Sequence, residues 1–134
     1  MKLVRYLWAL PTTSLGLLLV AMTVVGKGRF RVVDGAIEVH GSLLDWLLRK
    51  CVPLKGGAEA MTLGHVIVGR SERSLEMTRR HERVHVRQCE LWGPAFIPAY
   101  VASGIIQMVL GRDAYRDNYF ERKAREGEDV ARSL

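Results

Sequence analysis

Apolar and polar residues alternate in blocks along the chain, and the spacing within each block predicts an element. Residues 6–25, YLWALPTTSLGLLLVAMTVV, hold no charged residue. As a helix they would reach about 30 Å, the depth of a bilayer's hydrocarbon. Residues 30–39 read FRVV-DG-AIEV. Asp-Gly between two β-prone runs predicts a hairpin, because a type I′ turn needs positive φ at both central positions. Gly41 closes the second strand. Ser42 then caps a short helix at 43–50, ended by Val52-Pro53, and residues 54–60 are a loop. MTLGHVIV at 61–68 is a third strand, with Gly64 allowing close backbone approach.

The next block changes period. Residues 74–92 predict a helix with Ser71 or Ser74 as cap and Glu72 and Glu76 at its positive end. Gly93-Pro94 stops it. Its inward stripe reads Met77, His81, Val84, His85, Gln88, Leu91 and Trp92, and its outward face Arg79, Arg80, Arg83, Arg87 and Glu90. Residues 94–111 are apolar but short for a span, broken by Pro98 and carrying Gln107, which predicts a core or interfacial helix. Asp113 or Asp117 caps a last helix running to about Glu126, with Gly127 after it and a frayed end beyond.

These elements predict an α+β fold. A small antiparallel sheet of about three strands packs on the central helix and a C-terminal helix, behind an apolar N-terminal helix. Residues 1–26 are a membrane anchor or signal segment, and 27–134 a metal-binding domain. The anchor is favoured because Gly26-Lys27-Gly28 makes a poor cleavage site; export after signal cleavage is the alternative. Orientation is not readable, since Lys2 and Arg5 flank one end and Lys27, Arg29 and Arg31 the other.

Composition adds two points. The net charge is +6, from 20 basic and 14 acidic residues, much of it on the central helix. That suits anionic headgroups or a nucleic acid. The chain lacks interleaved aromatics, a helix-turn-helix partner and paired cysteine ligands, so nucleic acid is not an expected partner. Cys51 and Cys89 allow one disulfide in an oxidising compartment, with nothing in the sequence to say that they meet.

The chemistry lies in HERVH, residues 81–85. On a helix, His81 and His85 fall one above the other and can both reach a tetrahedral Zn²⁺. Glu82, roughly 100° away, can take a proton from water without ligating the metal. A catalytic site needs a third ligand. Gln88 and Leu91 stand where a further histidine would be sought, and Cys89 lies about 12 Å of helix beyond His81. The acids of the tail remain: Asp113, Asp117, Glu121, Glu126, Glu128 and Asp129. Glu121 is the best placed, mid-helix and near Ala124, whose small side chain lets another helix approach. Asp117 or Asn118 could orient it. Tyr115, Tyr119 or Arg122 could supply an oxyanion donor.

HExxH followed by a helical Glu a few dozen residues on resembles the gluzincin branch of zinc metallopeptidases, and the short chain resembles its minimal members. YFERKA at 119–124 is similar to the N-P-[FY]-E-x-x-A run of several bacterial HExxH proteins. Tyr119 replaces the usual Pro, which leaves the register of Glu121 open. TLGHVIVG (62–69), HERVHVRQ (81–88), WGP (92–94) and RDAYRDN (112–118) resemble a family of short bacterial membrane-associated proteins of unassigned function. The resemblance implies a zincin-like minimal domain and a zinc-dependent hydrolase, a peptidase acting on a peptide or protein substrate. The catalytic residues would be Glu82, Tyr115 and Tyr119, the ligands His81, His85 and Glu121. Two alternatives stand beside it: a membrane-anchored protein whose metal is structural or absent, and a basic nucleic-acid-binding helix.

Overall fold

The computed structural model describes residues 1–52 and 56–133. In chain order they form α1 (Lys2–Val25), β1 (Arg29–Val33), β2 (Ala36–His40), α2 (Ser42–Lys50), β3 (Ala60–Leu63), β4 (Val66–Gly69), α3 (Glu72–Trp92), a 3₁₀ turn (Gly93–Ala95), α4 (Phe96–Val109) and α5 (Tyr119–Ser133). Pro53, the predicted stop of α2, lies outside the described residues, as do residues 54 and 55 of the predicted loop.

The Asp-Gly hairpin forms as the sequence predicts. Asp34 and Gly35 take φ of 48° and 82°, and β1 pairs antiparallel with β2 from Arg29↔His40 to Val33↔Ala36. The third predicted strand is two strands. Gly64, at φ 63°, turns the chain through Gly64-His65, so β3 and β4 pair antiparallel. A two-residue loop with glycine first is a tight hairpin turn. Apolar and β-branched residues on both sides hid it. The sheet therefore has four strands in the order β1-β2-β4-β3, and β2 runs parallel to β4. It is mixed, where an antiparallel sheet of about three strands was expected. The parallel pair is possible because α2 and β3 intervene and carry the chain back.

Side-chain alternation assigns the two faces of the sheet. Val39, Val66 and Val68 pack with Leu44 and Leu48 of α2 and with Leu19 and Val20 of α1. Ala36 and Ile67 pack with Leu75 and Val86 of α3 on the other face. Glu38 also points to that face, where Arg79 Nε and Nη2 each donate to its carboxylate at 2.8 Å. Burial alone would raise the Glu38 carboxyl, but Arg79 and Arg31 outweigh it and hold it below the ordinary range. A third cluster, Ala9, Cys89, Phe96 and Phe120, joins α1, α3, α4 and α5.

α3 is capped by Ser71, whose hydroxyl accepts from Ser74 N at 3.1 Å. Its buried residues are Ser74, Leu75, Glu82, His85, Val86 and Cys89. The predicted stripe is thus shifted: Met77 is 64% and Leu91 77% exposed. The helix buries two adjacent faces, one against the sheet and one against α5, and a single-stripe pattern averages them. The predicted outward face is also partly engaged. Arg83 donates to the carbonyls of Val33 and Asp34, and Glu90 lies 2.9 Å from His65 Nε2.

Two helix ends differ from expectation. Gly41, not Ser42, precedes α2, and the Ser42 side chain makes no capping bond. α5 starts after Asn118, whose Oδ1 accepts from Phe120 N at 3.0 Å. Asp113 caps the turn before it instead, accepting from Tyr115 N and Arg116 N. Gly127 does not end α5. It is where α5 crosses α3, and a Cβ there would lie 3.0 Å from Val84 Cγ2. Close approach, not chain reversal, is the reason for that glycine.

α1 runs unbroken through Pro11. Its buried residues are Ala9, Thr12, Thr13, Gly16 and Thr23. Gly16 meets β4 so closely that a Cβ would fall 2.5 Å from Val66 Cβ. Thr13 Oγ1 accepts from His65 N at 3.1 Å, and Tyr6 stacks on the His65 ring at 4.0 Å. The leucines of α1 point the other way: Leu3, Leu7, Leu10, Leu15, Leu17 and Leu18 are exposed. α1 is apolar and long enough to cross a membrane, as an anchor or a signal sequence would be.

Candidate metal centre

α3 presents His81 and His85 on the side that faces α5, and α5 presents Glu121 back to them. The register of α5 is set by Asn118, which caps the helix and donates from Nδ2 to Tyr100 O at 3.0 Å. Fully buried Ala124 leaves room for the two helices to close. Glu121 Oε2 lies 2.8 Å from His81 Nε2, and Oε1 lies 3.2 Å from His85 Nε2. The two Nε2 atoms are 3.2 Å apart. Ligands about 2.1 Å from a tetrahedral ion stand roughly 3.4 Å from one another, so the two nitrogens and the Glu121 carboxylate are close enough together for one metal to bridge them.

The hydrogen bonds around the imidazoles favour that state. Gln88 donates from Nε2 to Phe120 O at 3.0 Å, which turns its Oε1 toward His85 Nδ1 at 2.8 Å. An amide oxygen can only accept, so Nδ1 carries the proton and Nε2 faces Glu121 with a lone pair. His81 Nδ1 is likewise 3.5 Å from Glu128 Oε2. Lone pairs of two imidazoles and a carboxylate then converge on one point. Something positive must sit there, either a proton or a cation. The direction of titration says the same. Burial would lower His85, but Glu121 and Glu82 outweigh it and raise it. Burial would raise Glu121, but His81 and His85 outweigh it and hold it well below the usual carboxylate range.

Glu82 stands apart from the triad on the sheet side of α3. Thr62 Oγ1 of β3 donates to its Oε2 at 2.6 Å. Burial pushes its carboxyl above the ordinary value, more than His85, Thr62 and His81 together pull it down. Glu82 lines two cavities. One, of about 560 Å³, is mostly apolar and reaches His85, Tyr100, Tyr115 and Glu121. The other, of about 350 Å³, is lined by Glu59, Thr78, His81, Tyr115 and Glu128 among others.

Of the residues singled out in the sequence, His81, His85 and Glu121 come together as one buried group that could hold a metal. Tyr115 lines both cavities, and burial together with the nearby Glu121 carboxylate raises its phenol. Tyr119 is not brought to the centre: it packs edge-on against Phe120 and beneath Lys123. Arg122 is exposed on the outer side of α5. Cys89 is a fully buried free thiol, pushed up to about 12 by burial, and Cys51 is a free exposed one. The two do not pair.

Sequence reasoning missed Tyr100 and Thr62. Tyr100 donates to Glu121 Oε1 at 2.6 Å and fixes the carboxylate from α4. A tyrosine inside an apolar helix was the available signal, because a buried phenol needs a partner. Thr62 carried no such signal, since its partner is on a different element. Gln88 was placed on the inward stripe and noted as a missing histidine, but not as the residue that orients His85.

The chain was compared with protein-family models, with curated proteins and with solved structures, and none matches. What is established is a buried His81–His85–Glu121 group, competent to hold a metal, on two helices of an α+β fold.

Proposed function

We propose that the protein is a zinc-dependent hydrolase of the gluzincin kind that cleaves peptide bonds. The observation that carries this reading is the convergence of His81, His85 and Glu121 within 3.2 Å of one another, with Glu82 beside them on two cavities. Two imidazole nitrogens and one carboxylate oxygen suit Zn²⁺ and form the donor set of a hydrolytic site. Among the described residues no fourth His, Cys, Asp or Glu joins the group, which favours an open site over a closed structural one.

His81, His85 and Glu121 would hold the metal. When bound, it supplies a Lewis acid that acidifies water and polarises a carbonyl. Glu82, held by Thr62, takes a proton from the attacking water and passes it to the leaving amine. Tyr115 donates to the carbonyl oxygen as charge develops there. Tyr100 keeps Glu121 in place, and Gln88 does so for His85. β3 is an edge of the sheet beside Glu82, and an extended substrate would pair its backbone along it.

The test is metal content and peptide hydrolysis measured on the same preparations in detergent. Wild type is expected to carry one zinc per chain and Glu121→Ala to lose it. Glu82→Gln is expected to keep zinc and lose about 10²–10⁴-fold in turnover. Full activity in Glu82→Gln, or zinc-loaded wild type that cleaves no peptide, would overturn the reading.

A further inference from the structure

The larger cavity has an unusual wall. Leu19 of α1, Leu44 and Leu47 of α2, and Ile97 and Val101 of α4 line it, and it ends at Glu82, His85 and Glu121. The outer surfaces of two of these helices, α1 and α4, are apolar and uncovered. Leu17 and Leu18 flank Leu19 on α1, and Ile105 and Met108 continue beyond Val101 on α4, all exposed. α1 meanwhile turns its threonines and glycine inward. A helix built this way suits lipid better than water on its leucine side. Val101 is 51% exposed and also lines the cavity, so it joins the cavity wall to the apolar outer surface of α4.

The smaller cavity shares Glu82 and Tyr115 with the larger and is bordered by Glu59, His81 and Glu128. A bond cleaved at Glu82 therefore lies between an apolar space and one bordered by carboxylates. β3 settles what kind of chain fits. Ala60, Met61, Thr62 and Leu63 all line the apolar cavity, and they belong to a sheet edge. An edge offers backbone hydrogen bonds that an extended peptide can use and an alkyl chain cannot.

We propose that the substrate is a peptide segment held in the bilayer, whose apolar residues enter the 560 Å³ cavity past Val101 while its polar residues occupy the 350 Å³ cavity. The proposal rests on the hydrolase reading for its chemistry. Water adds across the amide C–N bond between the two parts: its hydroxyl joins the carbonyl carbon, its other proton goes through Glu82 to the leaving amine nitrogen, and the C–N bond breaks.

Binding separates this inference from turnover. The probe is a dansyl-labelled peptide, one half Leu, Val and Ala and the other Ser, Lys and Glu. A scrambled peptide of the same composition is the control. Both are titrated against zinc-loaded Glu82→Gln in detergent micelles. The block peptide is expected to bind at least about tenfold tighter than the scrambled one. Val101→Trp and Leu47→Trp, each in that background, are expected to remove the preference with zinc content and Tm unchanged. Wild type is expected to cut the block peptide at its junction. Equal binding of the two peptides, or full preference in both tryptophan variants, overturns the inference whether or not hydrolysis occurs. Preferential binding that the tryptophans abolish, with no cleavage by wild type, supports the apolar-segment site and instead defeats the hydrolase reading.

Discussion

α1 and α3 are the two longest helices, and they are built in opposite senses. α3 follows the rule for a helix at a water surface: Leu75, Val86 and Cys89 face in, while its arginines, Glu72 and Glu76 face out or clamp the hairpin, with Glu82 the buried exception. α1 buries Thr12, Thr13, Gly16 and Thr23 and exposes its leucines. In α3 burial of apolar surface holds the helix down. In α1 that term is smaller on the inner face, where Ala9 and the partly buried Leu19 and Val20 supply it. Close backbone approach at Gly16 and hydrogen bonds through Thr13 add to it. The lesson is that an apolar run is not evidence of which face packs; the small and hydroxyl residues within it mark the inner face.

The comparison can be broken most severely from the α3 side. Glu38→Gln leaves Arg79 against the sheet without its counter-charge, and is expected to destabilise by about 3 kcal/mol, read from chemical denaturation. Its pH dependence is also defined. Glu38 is held below the ordinary carboxylate range, so its contribution is complete above the unfolded value of about 4.3 and is lost as pH falls through the folded value. The acid limb of the stability curve should flatten below about pH 4 in the variant. An unchanged acid limb would show that the Glu38–Arg79 pair contributes nothing.

Next in size, Gly16→Leu tests the inner face of α1. The new side chain would meet Val66, and the expected loss is about 1–3 kcal/mol, measured as a lowered Tm in detergent. Gln88→Leu probes the metal side of α3. It removes the acceptor that sets the His85 tautomer and should weaken zinc affinity about 10–100-fold in a competitive chelator titration, with the fold retained. The smallest effect on stability is expected from Leu18→Lys on the outer face of α1, within about 0.5 kcal/mol. Its effect should appear in partitioning into lipid vesicles. If Leu18→Lys lowered Tm by as much as is expected of Gly16→Leu, or if Gly16→Leu left Tm unchanged, the two faces of α1 would have been assigned the wrong way round.

Much of the local structure was legible because it depends on neighbours in the chain. Asp34-Gly35 determines its turn through backbone sterics alone, and Ser71 caps α3 through a bond spanning three residues. The four-residue spacing of His81 and His85 needs only a helix. Glu121 was legible for a related reason, since few acids remained to complete the donor set and it lay mid-helix. Tertiary structure decided the rest. The parallel pairing of β2 with β4, the break at Gly64-His65 and the two buried faces of α3 depend on partners remote in sequence. So do Thr62 on Glu82 and Tyr100 on Glu121, each joining elements that no periodicity connects. Short-range sterics and helix geometry act within a few residues and can be read from one stretch. Which surfaces meet depends on the free energy of the whole chain's packing, and that reaches the reader only once the helices and the sheet are in place.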